Sequence, residues 1–228
     1  MLSSSYRLAL GVALCALAWT APPARAAQIQ SDRTCYLDGR PAVVTGSGFM
    51  PRAPYTVTLD GRPVPEATGA ADGMGAIMGT FTLHLSSLGA DVAYHTYTLG
   101  VQQLATSAST QFTLTKFYAD FSPERGDPDR LRVRFHVVGF GLDPAAPNPP
   151  VYLHYIRPNG RLRKTVYLGP ARGPCGAIRR TRRRRLFPFP TTRGTWKLQF
   201  DTRRSFAAGK ADSPFLYYTI AVRIHRRR

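Results

Sequence analysis

The chain has 228 residues, 43% of them hydrophobic and 19% charged, with 12 Phe, 11 Tyr and 2 Trp. That is apolar material for one large core or two small ones, so wholesale disorder is excluded; 20 Gly and 19 Pro interrupt the chain too often for long helices. The formal net charge is +18, and no apolar run outside the extreme N-terminus is long enough for a membrane span.

Met1–Arg7 is a short polar start with one cation, and Leu8–Trp19 is a continuous apolar run. Ala21-Pro22-Pro23 breaks it, and Ala24-Arg25-Ala26 places small residues where a signal peptidase cuts. This layout predicts a signal peptide over 1–26. As a helix the run would reach roughly 18 Å, short of a hydrocarbon core of about 30 Å. The expectation is a secreted or envelope-associated protein with no transmembrane span after cleavage. Cleavage leaves Cys35 and Cys175. In an oxidising compartment that pair permits one disulfide, and two separate buried thiols are the alternative.

Residues 27–115 hold four Arg and no Lys against six acids, a net charge of −2. Residues 116–228 hold 25 Lys and Arg against seven acids, a net charge of +18. The division falls between the Thr/Ser-rich run Thr106–Thr115 and the turn-rich Ser122–Asp129, which marks a linker.

The first half reads as short strands over Thr34–Leu37, Pro41–Phe49, Tyr55–Leu59, Gly79–Leu83, Tyr94–Leu99 and Gln111–Thr115. They are rich in Val, Thr and aromatics and separated by turn residues such as Asp60-Gly61 and Asp72-Gly73. The second half gives strands over Leu131–Val137, Val151–Ile156, Arg161–Leu168, Trp196–Phe200 and Phe215–Ile224. In the first of these, Arg132, Arg134 and His136 alternate with apolar residues and face out. Two echoes link the halves: Val43–Phe49 with Val137–Gly141, and Gly79–Leu83 with Gly194–Leu198. They suggest duplicated modules.

Val43–Leu59 (VVTGSGFMPRAPYTVTL), Asp60-Gly61 and the later Gly73 and Gly79-Thr80-Phe81 resemble bacterial immunoglobulin-like modules of secreted and surface proteins. The likeness is good over 28–115 and loose over 116–228. It implies an all-β protein of two tandem immunoglobulin-like β-sandwiches, 27–115 near neutral and 116–228 strongly basic. It also implies a binding, spacing or adhesive role, although such folds host many functions.

The densest chemical feature is Arg179-Arg180-Thr181-Arg182-Arg183-Arg184-Arg185. Six like charges in seven residues repel, so a folded protein must leave them in solvent or give them an anionic partner. Arginine suits phosphate and carboxylate because its planar fork bonds two oxygens at once. The expected polyanion-binding set is Arg161, Arg163, Arg179, Arg180, Arg182, Arg183, Arg184, Arg185, Arg226, Arg227 and Arg228. The expected partner is an anionic extracellular polymer or anionic membrane surface, and export removes intracellular nucleic acid. With 27 Arg and four Lys, a coding bias that makes Arg the default cation is the rival, and the protein is then a spacer with incidental charge.

Enzyme motifs are missing: no H-E-x-x-H and no G-x-S-x-G. Cys175-Gly176-Ala177-Ile178-Arg179 weakly resembles the cysteine motif of L,D-transpeptidases, but Gly173-Pro174 stands where that motif has His-Gly. A wall hydrolase or transpeptidase with an unfamiliar site is the remaining alternative. His136 and His154 fall on neighbouring predicted strands and are candidates to pair across one sheet. Asp120, Glu124, Asp127 and Asp129 crowd one stretch as turn formers and partners for neighbouring Arg. The expectation is therefore no catalytic residue, no metal and no cofactor.

Overall fold

The computed structural model describes residues 26–225 except 90, 143–145 and 147. The predicted leader up to residue 25 and the predicted Arg226–Arg228 lie outside the described residues. Regular structure among those described is almost entirely β, with two short 3-10 turns at Pro65–Ala67 and Leu85–Leu88.

Two sheets face each other in the first half. One contains β1 (Gln28–Ser31), β3 (Pro41–Ser47) and β7 (Ile77–Thr82), in that order. The other has the order β2 (Cys35–Leu37), β9 (Thr106–Thr115), β8 (Tyr94–Gln103), β4 (Pro54–Leu59), β5 (Arg62–Pro63), with β6 (Gly69–Ala70) also pairing with β4. Only β2 with β9 runs parallel among these pairs; the rest are antiparallel. Alternation dictates the packing: on β4, Tyr55, Val57 and Leu59 are buried while Pro54 and Thr56 are exposed. Val44 and Phe81 from one sheet meet Val57, Leu99 and Phe112 from the other in a single core.

The second half has the same connectivity. β10 (Tyr118–Ser122), β11 (Arg132–Val138) and β14 (Arg184–Arg185) form one sheet. The order β13 (Leu162–Pro170), β12 (Pro150–Ile156), β15 (Gly194–Asp201), β16 (Tyr217–Ile224) forms the other. Thus β1-β3-β7 against β5-β4-β8-β9 recurs as β10-β11-β14 against β13-β12-β15-β16. Val133, Phe135, Leu153, Phe187, Trp196 and Phe200 fill this second core.

A similar turn occurs in both halves. Gly75 at φ 77° and Gly176 at φ 64° cap equivalent turns, and their carbonyls accept the N–H of Phe49 (3.2 Å) and Phe140 (3.0 Å), both buried. A Cβ on Gly75 would stand 2.1 Å from the Phe49 carbonyl oxygen, and one on Gly176 2.2 Å from the Gly141 nitrogen. Only glycine fits either place. The echo between Val43–Phe49 and Val137–Gly141 therefore lies on equivalent strands, β3 and β11. The echo between Gly79–Leu83 and Gly194–Leu198 does not: it matches β7 with β15, whereas connectivity matches β7 with β14.

Two further expectations are corrected. The linker is absent, since only Lys116 and Phe117 separate β9 from β10 and the Lys116 N–H donates to Ala93 O at 2.8 Å. His136 and His154 are not neighbours: they lie on β11 and β12, in opposite sheets. Each has its own carboxylate, Asp120 at 3.5 Å and Asp201 at 3.2 Å.

Candidate functional site: the arginine strap

Residues 178–186 run antiparallel along β11, in the place β7 occupies in the first half. Ile178 exchanges backbone hydrogen bonds with Val137 (3.1 and 2.9 Å), the Thr181 N–H donates to Phe135 O (3.0 Å), and the Leu186 N–H donates to Leu131 O (2.7 Å). Arg184 pairs with Val133. Between Ile178 and Thr181, and again between Thr181 and Arg184, the strap advances three residues while β11 advances two. Each mismatch is a bulge, which bends a strand and turns the extra residues out of the ladder. Arg179-Arg180 and Arg182-Arg183 occupy the two bulges, and all four are exposed.

Thr181 makes this possible. It is buried, and its hydroxyl accepts the Phe135 N–H at 2.9 Å, supplying an acceptor where the bulged backbone offers none. The strap carbonyls are met from β11 in turn. Arg132 donates to Arg183 O (3.4 Å) and Arg134 to Thr181 O (3.5 Å), and Arg183 Nε donates back to Arg132 O (3.2 Å). The arginines are thereby ordered on a sheet edge and do not hang free.

Charge on the strap is uncompensated. Among the described residues no carboxylate lies within ion-pair distance of Arg179–Arg185; the arginine ion pairs are Arg33–Asp32 and Arg130–Asp127. Like charges roughly 6 Å apart cost about 0.7 kcal/mol per pair even at the dielectric of water, so an approaching anion gains from every arginine it reaches. The outer face of the same sheet adds a cup of about 660 Å³ lined by Arg134, His136, Arg179, Arg180 and Arg183, with Asp120 as its one acid. Burial and then the Asp120 charge raise the pKa of the neighbouring Tyr118 phenol. Tyr94 of the first half closes the cup, and the Arg179 guanidinium sits 5.8 Å from its ring centroid, within cation–π range.

The predicted arginines do not all share this face. Arg182 borders a second cavity of about 890 Å³ that also contains Arg179, Arg180 and Arg172. Arg184 and Arg185 border a separate cavity together with Lys164 of β13. Arg163 stacks 5.2 Å from the Phe189 ring, and Arg161 caps the turn after β12, where its N–H donates to Asn159 Oδ1 (3.1 Å). Neither borders the cup. Arg134 and His136 also line the cup, and Arg132 holds the strap beside it; their alternation with apolar residues on β11 is the signal the sequence offers.

Cys35 and Cys175 are bonded, with Cα atoms 5.3 Å apart. Cys175 occupies the tip of the turn whose equivalent in the first half carries Met74, which is 91% exposed. The bond ties the turn just before the strap to β2, bringing Arg179 and Arg180 beside Tyr94. A sulfur held in that bond is no thiolate nucleophile, which removes the basis of the transpeptidase likeness. Among the described residues no three His, Cys, Asp or Glu side chains converge as metal ligands. Asp127 instead pairs with Arg130 at 4.0 Å and accepts the Asp129 N–H at 3.2 Å, and Asp129 accepts the Thr191 hydroxyl at 2.9 Å. No described helix is long and apolar enough to cross a membrane.

No protein-family model matches the chain, and no curated protein matches it either. Among solved structures, a tetra-tandem repeat from the extending region of a large adhesion protein is 12% identical with a TM-score of 0.30, covering 88% of this chain and 49% of its own. Salmonella alpha-2-macroglobulin reacted with methylamine is 13% identical with a TM-score of 0.31, over 87% of this chain and 15% of its own. Dimeric latent PorU from Porphyromonas gingivalis is 14% identical with a TM-score of 0.30, over 83% of this chain and 19% of its own. This chain thus spans about half of the first and under a fifth of the others. Scores this low carry no argument about its function.

Proposed function

We propose that the protein is a non-enzymatic, exported binding module of two immunoglobulin-like domains, 27–115 and 116–228, that docks on anionic extracellular polymers or anionic membrane surfaces through the second domain. The repeated connectivity and the leader-like N-terminus support the architecture and the compartment. The observation that carries the function is the bulged strap, which leaves Arg179, Arg180, Arg182 and Arg183 exposed along a sheet edge with no carboxylate in ion-pair distance among the described residues. Docking would be multipoint, fast and salt-sensitive, with bidentate hydrogen bonds where a phosphate, sulfate or carboxylate fits a guanidinium fork.

The test holds total charge constant and varies placement. One variant carries Ser at Arg179, Arg180, Arg182 and Arg183; the control carries Ser at Arg33, Arg40, Arg52 and Arg62. Four exposed charge contacts at roughly 0.5 kcal/mol each sum to about 2 kcal/mol, or roughly 30-fold in affinity. The strap variant is expected to lose that much affinity for a heparin-like or wall-polymer matrix, and the control very little. Equal losses would mean that net charge alone binds, which is the behaviour of a spacer with incidental charge.

A further inference from the structure

Where the two halves meet, a cavity of about 890 Å³ opens beside the cationic cup, and the two share Tyr94, Arg179 and Arg180. Its volume falls within the roughly 300–1,000 Å³ of ordinary small-molecule pockets. The second half lines it with Val138, Leu168, Pro170, Ala177 and Ile178, and the first half with Tyr94 and three threonines. The threonine hydroxyls of the lining are already engaged. Thr96 bonds Thr113 at 2.9 Å, Thr115 donates to Lys116 O at 3.0 Å, and Thr181 accepts the Phe135 N–H at 2.9 Å. The charged residues of the lining are Arg172, Arg179, Arg180 and Arg182, with no acid among the described residues that border it. All four arginines are exposed, whereas Val138 and Leu168 are buried. The cavity therefore grades from an apolar floor to a cationic mouth. Surface charge alone would accept any anion; this floor favours one that carries hydrocarbon.

We infer that the cavity takes a single-chain amphipathic anion, with its hydrocarbon against Val138, Leu168 and Ile178 and its carboxylate or phosphate head at the arginines of the mouth. The inference rests on the docking reading in one respect, that the strap arginines attract anions, and adds a preference for an apolar tail. Burying each methylene is favourable in itself, and a guanidinium fork bonds two oxygens of the head.

The experiment is calorimetric titration of the full chain with butanoate, hexanoate, octanoate and decanoate, and with octyl phosphate and octyltrimethylammonium. Affinity is expected to rise roughly two- to fourfold per added methylene. The cationic amphiphile is expected to bind at least about tenfold more weakly than octanoate. Comparing octanoate with octyl phosphate separates carboxylate from phosphate recognition. Thr96→Trp, at an exposed position of the lining, should fill the cavity and weaken decanoate about tenfold or more, with retention on the heparin-like matrix unchanged. Arg172→Ser, which lies outside the strap, should weaken octanoate and decanoate alike by roughly two- to threefold and leave the chain-length dependence intact. The inference is overturned if affinity does not depend on chain length, if the cationic amphiphile binds as tightly as octanoate, or if the Trp variant binds decanoate like the native chain. Absence of amphiphile binding with matrix retention intact would sink the cavity inference alone, whereas failure of both would sink docking along with it.

Discussion

Thr181 is the one uncharged residue in the cationic run, and the geometry of the strap turns on it. Its hydroxyl substitutes for a backbone acceptor at Phe135, at the point where two bulges meet. Thr181→Val keeps the shape but leaves a buried N–H unpaired, so a loss of about 1–3 kcal/mol is expected, measured by chemical denaturation. Thr181→Ser should retain most of the stability. The sequence shows Thr181 only as a break in the charge; that it is buried follows from a register no local pattern encodes. His154 was equally opaque. Its ring is inaccessible to solvent and bonded to Asp201 and to the carbonyl of Arg203, but Asp201 lies 47 positions away, beyond the reach of any spacing rule.

Strands whose side chains alternate between core and solvent were legible at the level of the element. β3, β4, β8, β11, β12 and β15 all fall where Val, Thr and aromatics repeat with period two, because alternate side chains of each enter a core, although on β12 and β15 His154, Gln199 and Asp201 on the other face are buried as well. β1 and β14 were not. Gln28–Ser31 is mostly polar, and Arg184-Arg185 has no apolar member; each is a strand by virtue of the backbone beside it. The irregular segment 202–216 is a further element invisible in composition. It is held across the outer face of the four-stranded sheet by Gln199, whose amide donates to Ala207 O and Asp201 Oδ2 and accepts the Gly209 N–H. Asp201 also accepts the Arg203 N–H at 2.8 Å. Asp201→Ala would remove the carboxylate shared by the His154 ring, the Gln199 amide and the Arg203 N–H, so the segment should open locally. Trypsin cleavage after Arg203 and Arg204 is expected to rise about tenfold or more, followed by mass spectrometry of the fragments, while cleavage in the first half stays unchanged.

Across the whole molecule, the disulfide closes a span of 140 residues and joins the two halves. Chain-entropy arguments give such a closure a value of about 2–5 kcal/mol. A chain with Ser at both Cys35 and Cys175 should lose stability on that scale, read from denaturant unfolding, and adding a reductant should lower the native chain by a similar amount and leave the variant unaffected. If the two chains unfold alike, the halves are held by their packing and the bond is incidental. The disulfide also bears on the cationic cup, because it secures the turn that precedes Arg179 beside the first half.

Composition and periodicity by themselves determined the all-β character, the positions of the well-patterned strands and the concentration of positive charge in the second half. Each depends on the sequence of neighbouring residues, and local backbone and burial preferences act at that range. Only the tertiary structure decided that the arginine run lies along β11 and ends in the short edge strand β14, that its charges divide between a cup and a separate edge cavity, and that Cys35 meets Cys175. These are outcomes of register and of contacts between residues tens of positions apart, set when two sheets close on one core.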